Sequence, residues 1–205
     1  MLYAFLHGLA RIVFYFFFRC RVKGAENLIE EGGFIVAPNH RSGLDIPLVA
    51  MALPRRMYSI GKKELFSNKI TGSFLKFLGG FPLDRGSVDL SALKKAIDIV
   101  KSGNILLMFP EGTRSEKGNL QKGKKGTVFI ATNSKVPIIP AGITGTEKAF
   151  PKGARLPRFH SISICFGKPF RPWEVFDPKD KDYLEKATEF LMEEISKCIG
   201  KIKEK

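Results

Sequence analysis

The sequence predicts an α/β fold built on a mixed, largely parallel sheet flanked by helices. Three observations lead there. Short apolar runs alternate with amphipathic stretches from Arg21 onward; the apolar runs are β-branched or aromatic-rich, as strands buried on both faces require; and the amphipathic stretches repeat apolar residues at helical spacing.

Strands are expected at residues 33–37, 57–60, 105–109, 136–143 and 161–166. Helices are expected at about 46–52, 69–78, 88–101, 126–133 and 180–199. In the 88–101 stretch, Leu90, Leu93, Ile97 and Val100 recur at helical spacing while Lys94, Lys95 and Asp98 fall elsewhere, so one face packs on the sheet. The last helix repeats that logic with Leu184, Ala187, Leu191, Ile195 and Cys198. The segment 145–158, rich in glycine and proline, is the nearest approach to a linker, and no internal repeat is present.

The chain divides into a hydrophobic N-terminal helix, 1–20, and an α/β domain, 21–205, whose size suits a single domain. His7 and Arg11 interrupt the first segment, which leaves it short of the roughly 20 apolar residues a spanning helix needs. No small-residue cleavage site follows Phe16, Phe17 and Phe18, so it does not read as a signal peptide. Residues 12–18 are apolar all round, and Arg19 and Arg21 follow. That pattern predicts a helix lying in a membrane interface, its rings at the acyl boundary and its cations at the headgroups. A core helix is the alternative.

Hydrophobic residues make up 44% of the chain and charged residues 26%, which excludes disordered and collagen-like classes. The 34 Lys and Arg against 20 Asp and Glu give a formal charge of +14, which favours acidic partners without choosing among phosphates, anionic lipid, nucleic acid or an acidic carrier protein. Cys20, Cys165 and Cys198 are far apart and lack C-x-x-C spacing, while His7, His40 and His160 are isolated. Neither a disulfide framework nor a metal site is expected, and the cysteines suit a reducing cytoplasmic setting.

The chemistry concentrates where the first expected strand runs into Asn39-His40-Arg41-Ser42-Gly43-Leu44-Asp45. Residues five apart on a helix do not share a face, so His40 and Asp45 meet only if the histidine sits in the loop and the aspartate near the helix start. Pro47 supports that, since proline is tolerated in a first helical turn. In that geometry Asp45 fixes the imidazole tautomer and leaves the other ring nitrogen to remove a proton from a hydroxyl. The pair by itself is equally compatible with Asp45 as an N-cap and His40 as a loop residue bonded to backbone.

A second segment, Phe109-Pro110-Glu111-Gly112-Thr113-Arg114-Ser115, follows the strand expected at 105–109. Gly112 permits a tight turn, Thr113 offers a hydroxyl, and Arg114 offers a fork that matches phosphate oxygens. Two further segments are Gly79-Gly80-Phe81-Pro82-Leu83-Asp84-Arg85, ending in a cation, and Val136-Pro137-Ile138-Ile139-Pro140.

Together these four segments resemble, in order and approximate spacing, the four motifs of the glycerolipid acyltransferase family, best matched by its 1-acylglycerol-3-phosphate acyltransferase branch; the resemblance covers residues 22–167. It implies a glycerolipid acyltransferase-like fold and catalysis by His40 and Asp45. It further implies acceptor phosphate binding by Arg114, with Glu111 and Gly112 shaping the same pocket, and by Arg85. Lys62, which opens the run Lys62-Lys63-Glu64-Leu65, is a further expected substrate contact, as is Thr113.

The implied reaction moves an acyl group from acyl-CoA or acyl carrier protein to the free hydroxyl of lysophosphatidate. It needs no cofactor beyond the donor, and its partners are membrane lipid and the substrates, without nucleic acid. The implied location is the membrane, peripheral or monotopic on the cytoplasmic face. Rival readings are another lysolipid as acceptor, Ser42 as a hydrolase nucleophile, a phosphate loop at 118–124, and a non-catalytic basic module binding anionic lipid or nucleic acid. No G-x-S-x-G elbow supports the second, and Lys125 stands where the third needs Ser or Thr, so 118–124 is expected to be a solvated turn.

Overall fold

The computed structural model describes residues 2–83, 90–115 and 119–204. In chain order its elements are α1 (Leu2–Phe17), β1 (Arg21–Lys23), β2 (Phe34–Pro38), α2 (Asp45–Ala52), β3 (Met57–Lys62), α3 (Lys69–Phe77), β4 (Gly80–Leu83), α4 (Leu90–Lys101), β5 (Ile105–Leu107), α5 (Gly126–Ser134), β6 (Ile138–Thr144), α6 (Thr146–Ala149), β7 (Ser163–Phe166), α7 (Pro172–Val175) and α8 (Tyr183–Lys203). Short 3-10 turns follow β1 at Ala25–Asn27 and β3 at Lys63–Phe66.

The strands form one sheet in the order β1-β7-β6-β2-β5-β3-β4. Five of them, β6, β2, β5, β3 and β4, run parallel; β7 pairs antiparallel with β6, and β1 runs parallel to β7. The sheet is therefore mixed and largely parallel, as its residues predict. Side chains alternate between two cores. Phe34, Val36, Ile105 and Leu107 meet α2 on one face, whereas Ile35, Ala37 and Leu106 meet α4, α5 and α8 on the other.

That alternation creates the site. From β2 the chain crosses to β3 through α2 on one face; from the adjacent β5 it crosses to β6, on the other side of β2, through α5 on the opposite face. The two chain segments part at the carboxyl ends of neighbouring strands, where open α/β sheets form their ligand crevices.

Several expectations need correction. β1 and β4 are not among the expected strands: the first is a three-residue edge strand with two charged side chains, and the second is an edge strand carrying Pro82, a residue tolerated where a ladder has one free side. The strand expected at 105–109 ends at Leu107, that at 136–143 begins at Ile138, and that at 161–166 begins at Ser163. The last helix begins at Tyr183, and residues 88 and 89 of the expected 88–101 helix lie outside the described residues. In α4 Val100 is buried and Leu93 and Ile97 pack against the core as expected, but Ala92 and Ala96 are buried too and Leu90 is exposed. Alanines let the helix axis come close to the sheet.

The N-terminal helix has two apolar faces. Phe14 and Phe18 are buried with α2 in the first core, Arg11 Nε donates to the Met51 carbonyl at 3.0 Å, and His7 Nε2 lies 3.1 Å from the Ala50 carbonyl. The other face, Phe5, Leu9, Ile12, Val13 and Phe16, is exposed. Apolar residues all round thus belong to two surroundings, one inside the fold and one outside it. Among the described residues no helix is long and apolar enough to cross a membrane.

The segment 145–158 holds α6, whose Ala149 is buried in the first core. Elsewhere α8 lies so close to β6 that a Cβ on Gly142 would stand 2.5 Å from the Ile199 nitrogen. Replacing Gly142 by alanine forces helix and sheet apart. It is expected to cost roughly 2 kcal/mol, read as a lower denaturant midpoint at an unchanged slope; an unchanged midpoint would show that the interface gives way freely.

Candidate active site

The loop between β2 and α2 is organised by one carboxylate. Asp45 is the first residue of α2 and its side chain is wholly buried (0% exposed). Its Oδ2 accepts from the Arg41 N–H at 2.6 Å and the Ser42 N–H at 2.8 Å, and lies 2.8 Å from Nδ1 of His40. Asp45 is therefore no simple N-cap: it binds amides of the preceding loop, and Leu44 holds the cap position without a side-chain bond. An imidazole nitrogen facing a carboxylate carries the proton, so Nε2 of neutral His40 keeps its lone pair. The His40 side chain is 15% exposed, which leaves that nitrogen reachable.

The loop after β5 closes around the same histidine. The Phe109 ring stacks on the imidazole with centroids 3.8 Å apart and planes 16° apart. Buried Glu111 takes the His40 backbone N–H on Oε1 at 2.7 Å and the Gln121 N–H on Oε2 at 2.9 Å. The Ser115 N–H donates to the His40 carbonyl at 2.9 Å. Gly112 turns this loop at φ 72°, a conformation that suits glycine. The backbone of His40 is thus gripped from both sides by residues that bracket Thr113 and Arg114.

Thr113 and Arg114 are exposed, and Arg114 forms no hydrogen bond or ion pair with a described residue. Lys62 is the last residue of β3, its side chain outside the described residues, and Arg85 falls in 84–89, also outside them. The structure therefore brings together His40, Asp45, Glu111 and Gly112, with Thr113 and Arg114 on the loop that holds them.

Two contributors escape the motif reading. Buried Asn39 fixes the loop to β6, its amide donating to the Ile143 carbonyl at 3.0 Å and accepting the Ile143 N–H at 2.7 Å. Lys124 is the other. Its N–H donates to the Pro110 carbonyl at 2.8 Å, and its side chain lies over Gly112, where an added Cβ would meet Cδ, Cε and Nζ at 3.0 Å. Lys122 and Lys125 pair with Glu185, whereas the Lys124 ammonium has no such partner among the described residues. The segment read as a solvated turn, 118–124, thus packs in part on the loop after β5; Gly118 lies outside the described residues. Nothing in the Lys-Gly-Lys-Lys run of the sequence sets Lys124 apart from its neighbours.

Ser42, the alternative nucleophile, donates its hydroxyl to the Phe150 carbonyl at 2.7 Å and accepts the Leu44 N–H at 3.3 Å. It braces the loop and points away from a role in attack. Among the described residues no group of three or more His, Cys, Asp or Glu side chains is placed to hold a metal ion. The cysteines are buried and free, and burial pushes the Cys20 and Cys198 thiols up to about 12.

Chemically, the arrangement is an oriented base held by a loop that carries Arg114, and neither Arg114 nor Lys124 has a charge partner among the described residues. Comparison with known proteins gives it a context. The sequence pattern of the family described as Acyltransferase matches residues 19–144. A Bacillus subtilis protein described as 1-acyl-sn-glycerol-3-phosphate acyltransferase is 34% identical over 184 residues, which are 89% of each chain. A chloroplastic protein of the same description from Brassica napus is 34% identical over 148 residues, 71% of this chain and 43% of that one. The crystal structure of the 1-acyl-sn-glycerophosphate (LPA) acyltransferase PlsC from Thermotoga maritima superposes with a TM-score of 0.81 at 28% identity, covering 97% of this chain and 78% of that one.

Glu111 supplies a sharp test of the geometry. Glutamine keeps the shape but turns an NH2 group toward one of two amide donors, so Glu111→Gln is expected to cost about 1–3 kcal/mol and to shift the ring resonances of His40. Unmoved His40 resonances would mean that the second loop does not position the histidine.

Proposed function

We propose, because the chain belongs to the acyltransferase family, that it transfers an acyl group from acyl-CoA or acyl carrier protein to the free hydroxyl of 1-acylglycerol-3-phosphate, giving phosphatidate. The observation that carries this reading is the grip of the Phe109–Ser115 loop on His40. It sets an imidazole with a free Nε2 one short loop away from an unpaired guanidinium.

The mechanism follows from those positions. A thioester is already activated, so what remains is to make an alcohol nucleophilic and hold it against the carbonyl. His40 takes the acceptor's hydroxyl proton on Nε2 as the new C–O bond forms, and Asp45 balances the imidazolium that results. The C–S bond then breaks and His40 returns the proton to the leaving thiolate. No acyl-enzyme is needed, consistent with Ser42 being engaged by the Phe150 carbonyl. Arg114 holds the acceptor phosphate by its fork, Lys124 adds a point charge from across Gly112, and Arg85 and Lys62 are the further cations that the family resemblance assigns to it. Glu111 and Gly112 shape the loop that carries Arg114, and Thr113 lends its hydroxyl.

The enzyme works at a membrane surface, peripheral or monotopic on the cytoplasmic face. The exposed apolar face of α1, which is free of acidic residues, supports this.

The test is an acyl-transfer assay that crosses acyl-CoA and acyl carrier protein donors with lysophosphatidate and other lysolipids. Product is expected with lysophosphatidate, and His40→Ala is expected to lower kcat at least about a hundredfold while vesicle binding persists. Wild-type protein that binds lipid or nucleic acid but makes no product would favour a non-catalytic module. Arg114→Ala is expected to raise the acceptor KM about tenfold or more, with Lys124→Met raising it less. A change confined to the donor KM would move both cations to the other substrate.

A further inference from the structure

We infer that the loop 151–160 is a second membrane-contact element, joined to the exposed face of α1 and built to meet anionic headgroups. The inference rests on the membrane reading of α1 and extends it to a segment elsewhere in the chain. Phe159 is 74% exposed and Leu156 78% exposed, on a loop whose neighbouring residues Arg155 and Arg158 are exposed as well. Large apolar residues on a polar loop need a reason, and here the ring of Phe159 stacks on Phe17 of α1 with centroids 3.8 Å apart. Two exposed aromatics from distant parts of the chain therefore make one patch, continuous with the face that presents Phe16, 83% exposed.

Charge identifies the occupant. Residues 151–160 contain Lys152, Arg155 and Arg158 and no acidic residue; residues 1–24 also lack acidic residues and present exposed Arg19 and Arg21 after α1, while Arg11 is turned to the Met51 carbonyl and Lys23 to the carbonyls of Lys201 and Glu204. Rings with cations of one sign on both contributing segments match an anionic bilayer surface, in which aromatics settle at the acyl boundary and guanidinium groups among the phosphates.

The loop is also wired to the catalytic residues. The Arg158 N–H donates to the Ala149 carbonyl at 2.6 Å, the Phe150 carbonyl accepts the Ser42 hydroxyl at 2.7 Å, and Glu147 pairs with Arg41 at 3.2 Å. The segment that meets the membrane is therefore hydrogen-bonded to the stretch 147–150, which braces the loop carrying His40.

The experiment measures partitioning of the full chain onto vesicles of phosphatidylcholine alone and of phosphatidylcholine mixed with phosphatidylglycerol, with circular dichroism confirming that each variant folds. Leu156→Ser/Phe159→Ser is expected to partition about tenfold more weakly onto both vesicles. Arg155→Gln/Arg158→Gln is expected to lose roughly tenfold on the mixed vesicles and little on phosphatidylcholine. Unchanged partitioning of both loop variants, with Ile12→Ser/Phe16→Ser losing it, would overturn the loop proposal and leave the α1 reading standing. Wild-type protein that binds neither vesicle would remove both. Loop variants that turn a dimer into a monomer without altering partitioning would make the patch a self-association face and overturn the proposal.

Discussion

One oxygen of Asp45 gathers the loop between β2 and α2. It binds the His40 ring and the amides of Arg41 and Ser42 together, with the Asp45 side chain itself closed to solvent. Removing a carboxylate from water is costly unless donors replace the lost hydration, and these donors are the ones a loop between strand and helix would otherwise leave unsatisfied. The same contact therefore satisfies the backbone, starts α2 with a negative charge at its positive end, and aims the imidazole. Fold and chemistry share a single constraint.

The sheet supplies the second half of the arrangement. Adjacent parallel strands β2 and β5 send their chains to opposite faces, so the loops that leave them open a crevice between them. What closes it productively is Glu111, a buried acid that spends both oxygens on backbone amides and locks the second loop to His40. Lys124 lies over Gly112, whose missing side chain leaves room for it, and Arg114 follows two positions later on the same loop as Gly112. An imidazole fixed by one acid and an arginine carried on a loop fixed by another suit the proposed transfer to a phosphate-bearing acceptor.

Much of this was legible in the residues, and the failures have physical causes. Strands β2 and β5 are buried on both faces, so their apolar runs announce them; β1 and β4 sit at the sheet's edges, where charge and proline are tolerated and the signal fades. In α4, leucines and isoleucines dominate the pattern, yet alanines make the closest approach, because proximity favours the smaller side chain. The spacing of His40 and Asp45 pointed to their meeting, since a loop residue and a helix start can converge over five positions. The resemblance assigned Glu111 to the pocket, but its hold on the His40 amide was invisible: an acid in a polar turn reads as exposed, and its partner lies 71 positions away. Lys124 was obscured likewise, because three nearby lysines look alike until Glu185 is seen to occupy two of them.

The central claim is that His40 rests with its Nδ1 proton on Asp45 and its Nε2 free. Long-range nitrogen–proton correlation spectra of the ring, recorded on protein with labelled histidine, read that tautomer directly. The account predicts a single neutral form protonated at Nδ1, and Asp45→Asn should abolish that preference. A proton on Nε2 in the native enzyme, or an equal mixture of both forms, would contradict it.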